Sequence, residues 1–243
     1  MKLKKIAFQL VPKKFHLFII FYYLRLLGRL DPEMIYVTRL LTGKRRFLDI
    51  GANIGIYSYY FSKIFRHVDA FEPLSEITYR LDQISSESLS VRNLALSDSD
   101  GQLNIYIPLV DGNPVATLAS LEKRDGDFIE RNVPVKKIDS FNFCDVDLIK
   151  IDVEGHEKSV LLGAQKTIRQ CRPIMIVEIE QRHITANINE VFNVILDLEY
   201  EGFYLRGGKL MPISFFSYEV HQAPYLENVR NKNYINNFIF VSK

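Results

Sequence analysis

Short apolar runs alternate along the chain with stretches whose apolar residues recur at helical spacing. The run Phe47-Leu-Asp-Ile50 ends at Gly51, and an apolar, aromatic stretch of helical length follows over 54–65. This order predicts a strand over about 47–52, a tight turn and a helix. A second strand is predicted over 68–72, stopped by Pro73, and then a helix from Ser75, an N-cap candidate, to about 85. The alternating run 89–96 predicts a third strand and 103–109 an added edge strand. A fourth strand is predicted over 146–153, with a helix over about 156–169 after it. The run 173–179 is a fifth, apolar enough to be buried on both faces. Val191, Val194, Ile195 and Leu198 share a helical face over 188–200. Short strands at 203–205 and 210–213 flank Gly207-Gly208, and 237–241 closes the chain as a last strand. Strands alternating with helices predict an α/β fold with a doubly wound sheet.

Two regions depart from that alternation. Residues 108–135 are broken by Pro108, Gly112, Pro114, Gly126 and Pro134, and a loop of that length in a compact domain is a candidate substrate lid. Residues 1–45 form a basic, apolar extension, ending at Gly43-Lys-Arg-Arg46, ahead of a domain over 46–243. Lys2, Lys4, Lys5, Lys13 and Lys14 precede the apolar run 17–24, and Arg25, Arg29 and Arg39 follow it. The run is too short to span a bilayer, which takes roughly 20 residues, and no small-residue cleavage site follows. A helical extension is expected. It either caps the core or, through residues 1–30, lies on an anionic membrane surface.

The composition fits a soluble globular protein, with 47% hydrophobic and 25% charged residues. A net charge of +2 argues against a nucleic-acid partner, which calls for a concentrated basic field. Cys144 and Cys171, the two cysteines, have no metal-ligand spacing. So few cysteines suit a reducing compartment, so a cytoplasmic location is expected, membrane-associated if the extension touches lipid. Oligomeric state stays open.

The candidate chemistry gathers at strand ends. Gly51, Asn53 and Gly55 make a turn whose backbone can approach a ligand, with Asp49 at the end of the strand before it. Glu72 ends the second strand about 21 positions after Gly51, the interval at which a carboxylate meets a ribose. A dinucleotide fingerprint would need glycine where Asn53 and Ile56 stand, which disfavours a nicotinamide-dependent oxidoreductase. Asp152 and Glu154 lie two apart, on one face of a strand, and Glu178 and Glu180 repeat the spacing. Lys150, on the same phase, can pair with Asp152. An oxygen-ligand metal among Asp152, Glu154 and Glu178 would lack a dedicated ligand loop, so no metal is assigned. His156 stands at a predicted helix start, where the dipole favours the neutral imidazole that a general base needs; its other reading is a helix cap.

The loop Asp-Ile-Gly-Ala-Asn-Ile-Gly55 is similar to the Glu/Asp-x-Gly-x-Gly-x-Gly loop of class I S-adenosylmethionine (SAM) methyltransferases, with Asn for the middle glycine. It occurs in order with Phe71-Glu-Pro73, Asn93-Leu-Ala95, Lys150-Ile-Asp-Val-Glu-Gly-His-Glu157 and Pro173-Ile-Met-Ile-Val-Glu178. Together these resemble the FkbM family of SAM-dependent methyltransferases over about residues 45–243. The resemblance implies a class I, Rossmann-like seven-stranded sheet with the last strand antiparallel. It implies O-methylation of a hydroxyl on a sugar, glycan or related small molecule. Asp49, Gly51, Asn53 and Gly55 would border the methionine part of SAM, Glu72 would accept the ribose hydroxyls, and Asn93 would lie beside the adenine. Asp152, Glu154 and His156 would border the acceptor pocket, with Glu178 opposite. Either His156 or Asp152 would act as base, and Glu154 or Glu178 would orient the acceptor. A nucleotide-binding protein without turnover is the non-enzymatic alternative, disfavoured by the strand-end carboxylates.

Overall fold

The computed structural model describes residues 11–123 and 125–243. Two helices, α1 (His16–Leu26) and α2 (Pro32–Thr38), lead into strand β1 (Arg46–Ile50). Proline suits the first turn of α2, where its missing N–H leaves no bond unmade. Helix α3 (Ile56–Phe61), strand β2 (His67–Phe71), helix α4 (Ser75–Asp82) and strand β3 (Leu89–Arg92) follow. Ser75 opens α4 as a helical residue, and Leu74 holds the cap position without a side-chain bond. The middle of the chain holds β4 (Ala95–Leu96), β5 (Gly101–Val110), β6 (Asn113–Pro114) and β7 (Phe128–Lys136). Strand β8 (Val146–Ile151), helices α5 (Glu157–Leu162) and α6 (Gln165–Cys171), strand β9 (Ile174–Glu178) and helix α7 (Asn189–Leu196) come next. The chain closes with β10 (Tyr200–Arg206), β11 (Lys209–Pro212), α8 (Tyr218–His221) and β12 (Asn237–Ser242).

The main sheet has the order β11-β10-β12-β9-β8-β1-β2-β3. Strands β3, β2, β1, β8 and β9 are parallel, and β12 runs antiparallel between β9 and β10. The seven expected strands are therefore joined by an eighth, β11, which turns back on β10 at Gly207-Gly208 and extends the edge. Strand β1 lies between β2 and β8, so the winding reverses there. In open α/β sheets the crevice at that reversal receives the ligand. The register sets Asp49 beside Lys150 and Ile50 beside Ile151, and the Asp152 amide donates to the Ile50 carbonyl at 2.9 Å.

The sheet buries both faces, as parallel strands require. Leu48, Ile50, Ile149 and Ile151 pack with α5, α6 and α7 on one side. Phe47 and Leu148 pack on the other with α3 and with Leu17, Phe21, Met34 and Val37 of the first two helices. Residues 16–38 thus share the core of the domain that follows them. The single helix expected over 156–169 breaks at Gly163, where a Cβ would lie 2.0 Å from the Ser97 carbonyl. Backbone of β4 and helix can meet there only because the residue is glycine.

The middle of the chain corrects two expectations. The run at 103–109 is not an edge of the main sheet; it belongs to β5, paired antiparallel with β7 in a second sheet of order β4-β7-β5-β6. That pairing also makes 128–135 regular strand, so the irregular stretch shrinks to the excursion between β6 and β7. Ile105, Ile107, Val133 and Val135 pack under this sheet against Leu74 and Ile77 of the α4 region. The ribbon is thereby fixed over the carboxyl end of the main sheet.

Candidate functional site

Two cavities open at the reversal point and share Gly51, Asn53, Thr117 and Asp152 in their walls. Their cavity volumes are about 50 and about 370 Å³, and both open to solvent beyond that. The first runs under the second sheet, with Phe71, Leu96, Ile105 and Leu121 as apolar walls and Glu72 as its inner carboxylate. The second is lined by Asp49, Tyr57, Lys150 and Asp152 from the domain. Leu24, Arg29, Leu30, Asp31 and Met34 of the extension complete it.

Glu72 is built into the turn it faces. Its carboxylate oxygens accept the Asn53 and Leu74 amides, each at 3.1 Å. Asn53 takes a left-handed conformation, φ 50°, and its own side-chain oxygen accepts the Ile54 amide at 2.8 Å. Asparagine tolerates that conformation, which explains how it stands in the middle of a glycine loop. Burial pushes Glu72 up to about 7 against the pull of those two amides. Gly51, at φ 74°, is required for a reason other than ligand approach: a Cβ there would lie 1.8 Å from the Asp152 carbonyl. Gly55, at φ 89°, meets Leu81 of α4 and lines neither cavity.

Asp49 is buried, accepts the Ser58 amide at 2.8 Å and hydroxyl at 2.6 Å, and so ties β1 to α3. Desolvation raises its carboxyl to about 6, opposed by Ser58 and by Lys150. Lys150 is the buried cation of the site. Its ammonium lies 3.7 Å from Asp152, 3.6 Å from Glu178 and 3.2 Å from the Asn237 oxygen, to which it donates. It also sits 5.4 Å from the centre of the Tyr57 ring. Burial works to lower its pKa, but the surrounding carboxylates, Asp152 and Glu178 first, outweigh it and hold the pKa above the ordinary value. The place a metal would take between Asp152 and Glu178 is occupied by this ammonium. No three acidic, histidine or cysteine side chains among the described residues are grouped to hold an ion. The Tyr57 hydroxyl donates to Asp31 at 3.0 Å, and desolvation raises the Asp31 carboxyl.

Of the residues singled out from the sequence, Asp49, Gly51, Asn53, Glu72, Asp152 and Glu154 line the cavities. The Asp152 side chain is 35% exposed and belongs to both walls. Glu154 takes a left-handed conformation, φ 56°, and pairs with His183 at 3.0 Å. Glu157 shapes this turn from behind: it is buried, and accepts the Gly155 amide at 3.0 Å. The others stand back from the cavities. Asn93 donates to the Glu72 carbonyl at 3.1 Å and to Thr78 at 3.2 Å, bracing β2 against α4; Ala95 and Leu96 form the cavity wall there. Glu178 lies behind Lys150 and accepts Asn236 at 2.7 Å. Glu180 pairs with Arg182 and Tyr234, which hold it down at about 2 despite burial.

His156 is committed on both ring nitrogens. Nε2 lies 2.9 Å from the Ser97 hydroxyl and Nδ1 2.6 Å from the Glu122 carboxylate. The order acid–imidazole–hydroxyl is that of a nucleophilic triad, but Ser97 is 1% exposed and no substrate reaches it. The set is a brace that ties the excursion to Ser97, the residue after β4. The excursion is pinned twice more. Ser120 donates to the Glu154 carbonyl at 2.7 Å, and the Asn53 amide group donates to the Thr117 carbonyl at 3.2 Å. Residues 116–121 therefore roof the first cavity, and the Asn53–Thr117 bond marks its border with the second.

Sequence reasoning missed Asp31, Tyr57, Thr117 and Ser120. Asp31 precedes a helix-initiating proline and reads as an N-cap, yet it makes no cap bond and its carboxylate turns to Tyr57. Tyr57 reads as one more aromatic on a core helix.

These features suit SAM. Glu72 keeps acceptor capacity toward a ribose, the walls of the first cavity are apolar enough for a purine, and the acidic second cavity favours a sulfonium cation. The model of the methyltransferase FkbM domain matches residues 49–203. Among solved structures, an FkbM methyltransferase from Methylobacillus flagellatus KT is 18% identical at a TM-score of 0.51. The match covers 81% of this chain and 43% of that one, so this chain spans less than half of its length. A TehB-like SAM-dependent methyltransferase from Corynebacterium glutamicum ATCC 13032 is 12% identical at a TM-score of 0.50, covering 91% of this chain and 94% of that one. At these identities the likeness is one of fold. No curated protein matches the chain. With a family match over more than half its length, at the strand ends that build the two cavities, the chain belongs to the FkbM methyltransferase family, and S-adenosylmethionine is its cofactor.

Proposed function

We propose that the chain methylates a hydroxyl of a sugar, glycan or related small molecule, with Asp152 as the general base. The observation that carries this is the position of Asp152, the carboxylate common to both cavities and open to them. The cofactor, when bound, supplies an electrophilic methyl group on a sulfonium. Glu72 would hold the ribose hydroxyls, Phe71, Leu96, Ile105 and Leu121 the adenine, and Gly51 and Asn53 the methionine portion. Methyl transfer depends largely on alignment of donor and acceptor. A hydroxyl also has to lose its proton, to a base within hydrogen-bond reach. Asp152 stands where the cavities meet, and Lys150 fixes its carboxylate from the buried side. Arg29, Asp31 and Tyr57 offer further polar groups in the second cavity, which fits an acceptor bearing several hydroxyls. His156 serves this chemistry by holding the roof, not by taking the proton.

Cys144 and Cys171 are unpaired, which supports a reducing compartment and hence the cytoplasm. No helix among the described residues is long and apolar enough to cross a membrane. The test is transfer from methyl-labelled SAM to a panel of sugars and glycosides, alongside amines and carboxylates. Label in an alkali-stable ether on a hydroxyl acceptor is expected. Label found only in amines or esters would overturn the assignment.

A further inference from the structure

Helix α1 is apolar on two sides. Leu17 and Phe21 are buried in the core, with the Phe21 ring 5.3 Å from Tyr59 and 5.9 Å from Tyr60. Phe15, just before α1, and Phe18, Tyr22 and Leu26 on it, at intervals of three and four, form a second, exposed stripe, Leu26 exposed by 84%. Tyr23 and Leu27 widen the stripe. A soluble chain seldom leaves so many large apolar side chains together in water without a surface to cover them.

The charge around the stripe indicates which surface. The first 30 residues hold seven lysines and arginines and no acidic residue, while the whole chain holds 31 basic and 29 acidic. Lys13, Lys14, Arg25 and Arg29 lie at the ends of α1, and Lys63 reaches toward the Tyr22 ring at 5.8 Å. A second copy of the chain would meet the stripe through the same patch, and a two-fold contact would bring these cations together without a counter-charge. An anionic lipid surface supplies both the apolar depth and the negative charge. The tyrosines suit the headgroup level, where an apolar ring and a polar hydroxyl are both accommodated.

We propose that the exposed face of α1 docks the protein on anionic membranes, as a peripheral and non-spanning contact. Docking is coupled to the site. Leu24, on the same helix, lines the second cavity together with Arg29 and Leu30. A helix held on lipid by one face thus holds a wall of the acceptor cavity by the other. The proposal does not depend on which acceptor is methylated.

The experiment is flotation of the full chain with phosphatidylcholine vesicles, with and without phosphatidylglycerol. It is repeated at high salt and with the double variant Phe18→Gln, Leu26→Gln. Neither position lines a cavity, so SAM binding, measured by calorimetry on the same samples, reports that the variant is folded. Wild-type protein is expected to float with the anionic vesicles only and to be released by salt. The variant is expected to bind them about tenfold more weakly with unchanged SAM affinity. Three results would each overturn the proposal. One is wild-type protein that stays with the soluble fraction or floats equally with neutral vesicles. Another is a dimer in the absence of lipid, abolished by the double variant, with no vesicle binding. The third is vesicle binding that emerges only when residues 1–10 are removed, since the chain itself would then cover the stripe.

Discussion

The two cavities sit side by side at the carboxyl end of one sheet and differ in how their charges are balanced. The first keeps Glu72 deep among apolar walls, with Asp152 and Glu154 at its rim, and burial drives Glu72 up to about 7. The second crowds Asp31, Asp49 and Asp152 around one buried ammonium, Lys150, with Glu178 behind it. In both, burial raises the acids, Glu72 in one and Asp31 and Asp49 in the other; only the second sets a buried ammonium against that rise. The first is walled wholly by residues 50–154, all of them inside the FkbM domain match. The second is walled in part by residues 24–34, outside it. A wall that differs in origin is where a family member can differ in substrate.

This contrast can be broken by substitution. Asp152→Asn keeps the shape of the shared wall but removes the proposed base, and turnover is expected to fall about 10²–10⁴-fold with SAM affinity largely kept. Single-turnover methylation and calorimetry separate the two quantities, and His156→Gln in parallel should retain most turnover. A larger loss with the histidine variant would return the base to His156. Lys150→Met leaves the carboxylates of the second cavity without their cation, and a loss of about 3–5 kcal/mol in urea unfolding is expected. Because those acids can protonate, the deficit should shrink at lower pH; a deficit independent of pH would mean that the ammonium is not what balances them.

The first cavity responds more mildly. Glu72→Ala should weaken SAM binding by roughly 1–3 kcal/mol through lost hydrogen bonds, read by calorimetry. Unchanged affinity would remove Glu72 from the cofactor site. The smallest effect is one of pH. Glu72 has a carboxyl raised to about 7, so below that value it is protonated, and binding that needs the carboxylate must first release the proton. SAM affinity should therefore rise about tenfold from pH 6 to pH 8. The Glu72→Gln variant should flatten that rise. The stability of the cofactor-free protein should move the other way. The acids Glu33, Glu72 and Glu157, each raised to about 7, favour the fold while protonated, and their contribution is lost as pH climbs through 7.

The fold was legible where pattern and burial agree. The runs at 47–50, 146–151 and 173–179 are apolar because parallel strands are covered on both faces, and their order carried the sheet topology. The Glu72 position was legible because spacing along a strand–turn–helix–strand unit is fixed by geometry. The second sheet was not. Pro108, Pro114 and Pro134 read as breakers, yet they sit in or beside β5, β6 and β7, short-edged strands of a ribbon where a missing amide is tolerated. Side-chain commitment was also illegible. His156 and Asn93 carry the right chemistry at the right strand ends, but whether such a group faces a cavity or a neighbour depends on contacts across the chain. Ser97, 59 positions from His156, and Glu122 decide it for the histidine. Glu178 was placed correctly at its strand end and is screened from the cavities by Lys150.

Gly51 bears on any attempt to retarget the enzyme. Its α-carbon abuts the carbonyl of Asp152, so the loop proposed to hold the donor and the proposed base share one contact. Tuning either half through that contact disturbs the other. Altered acceptor choice is better sought at Arg29, Leu30 and Met34, where side chains can be exchanged while the alignment of donor and base is left alone.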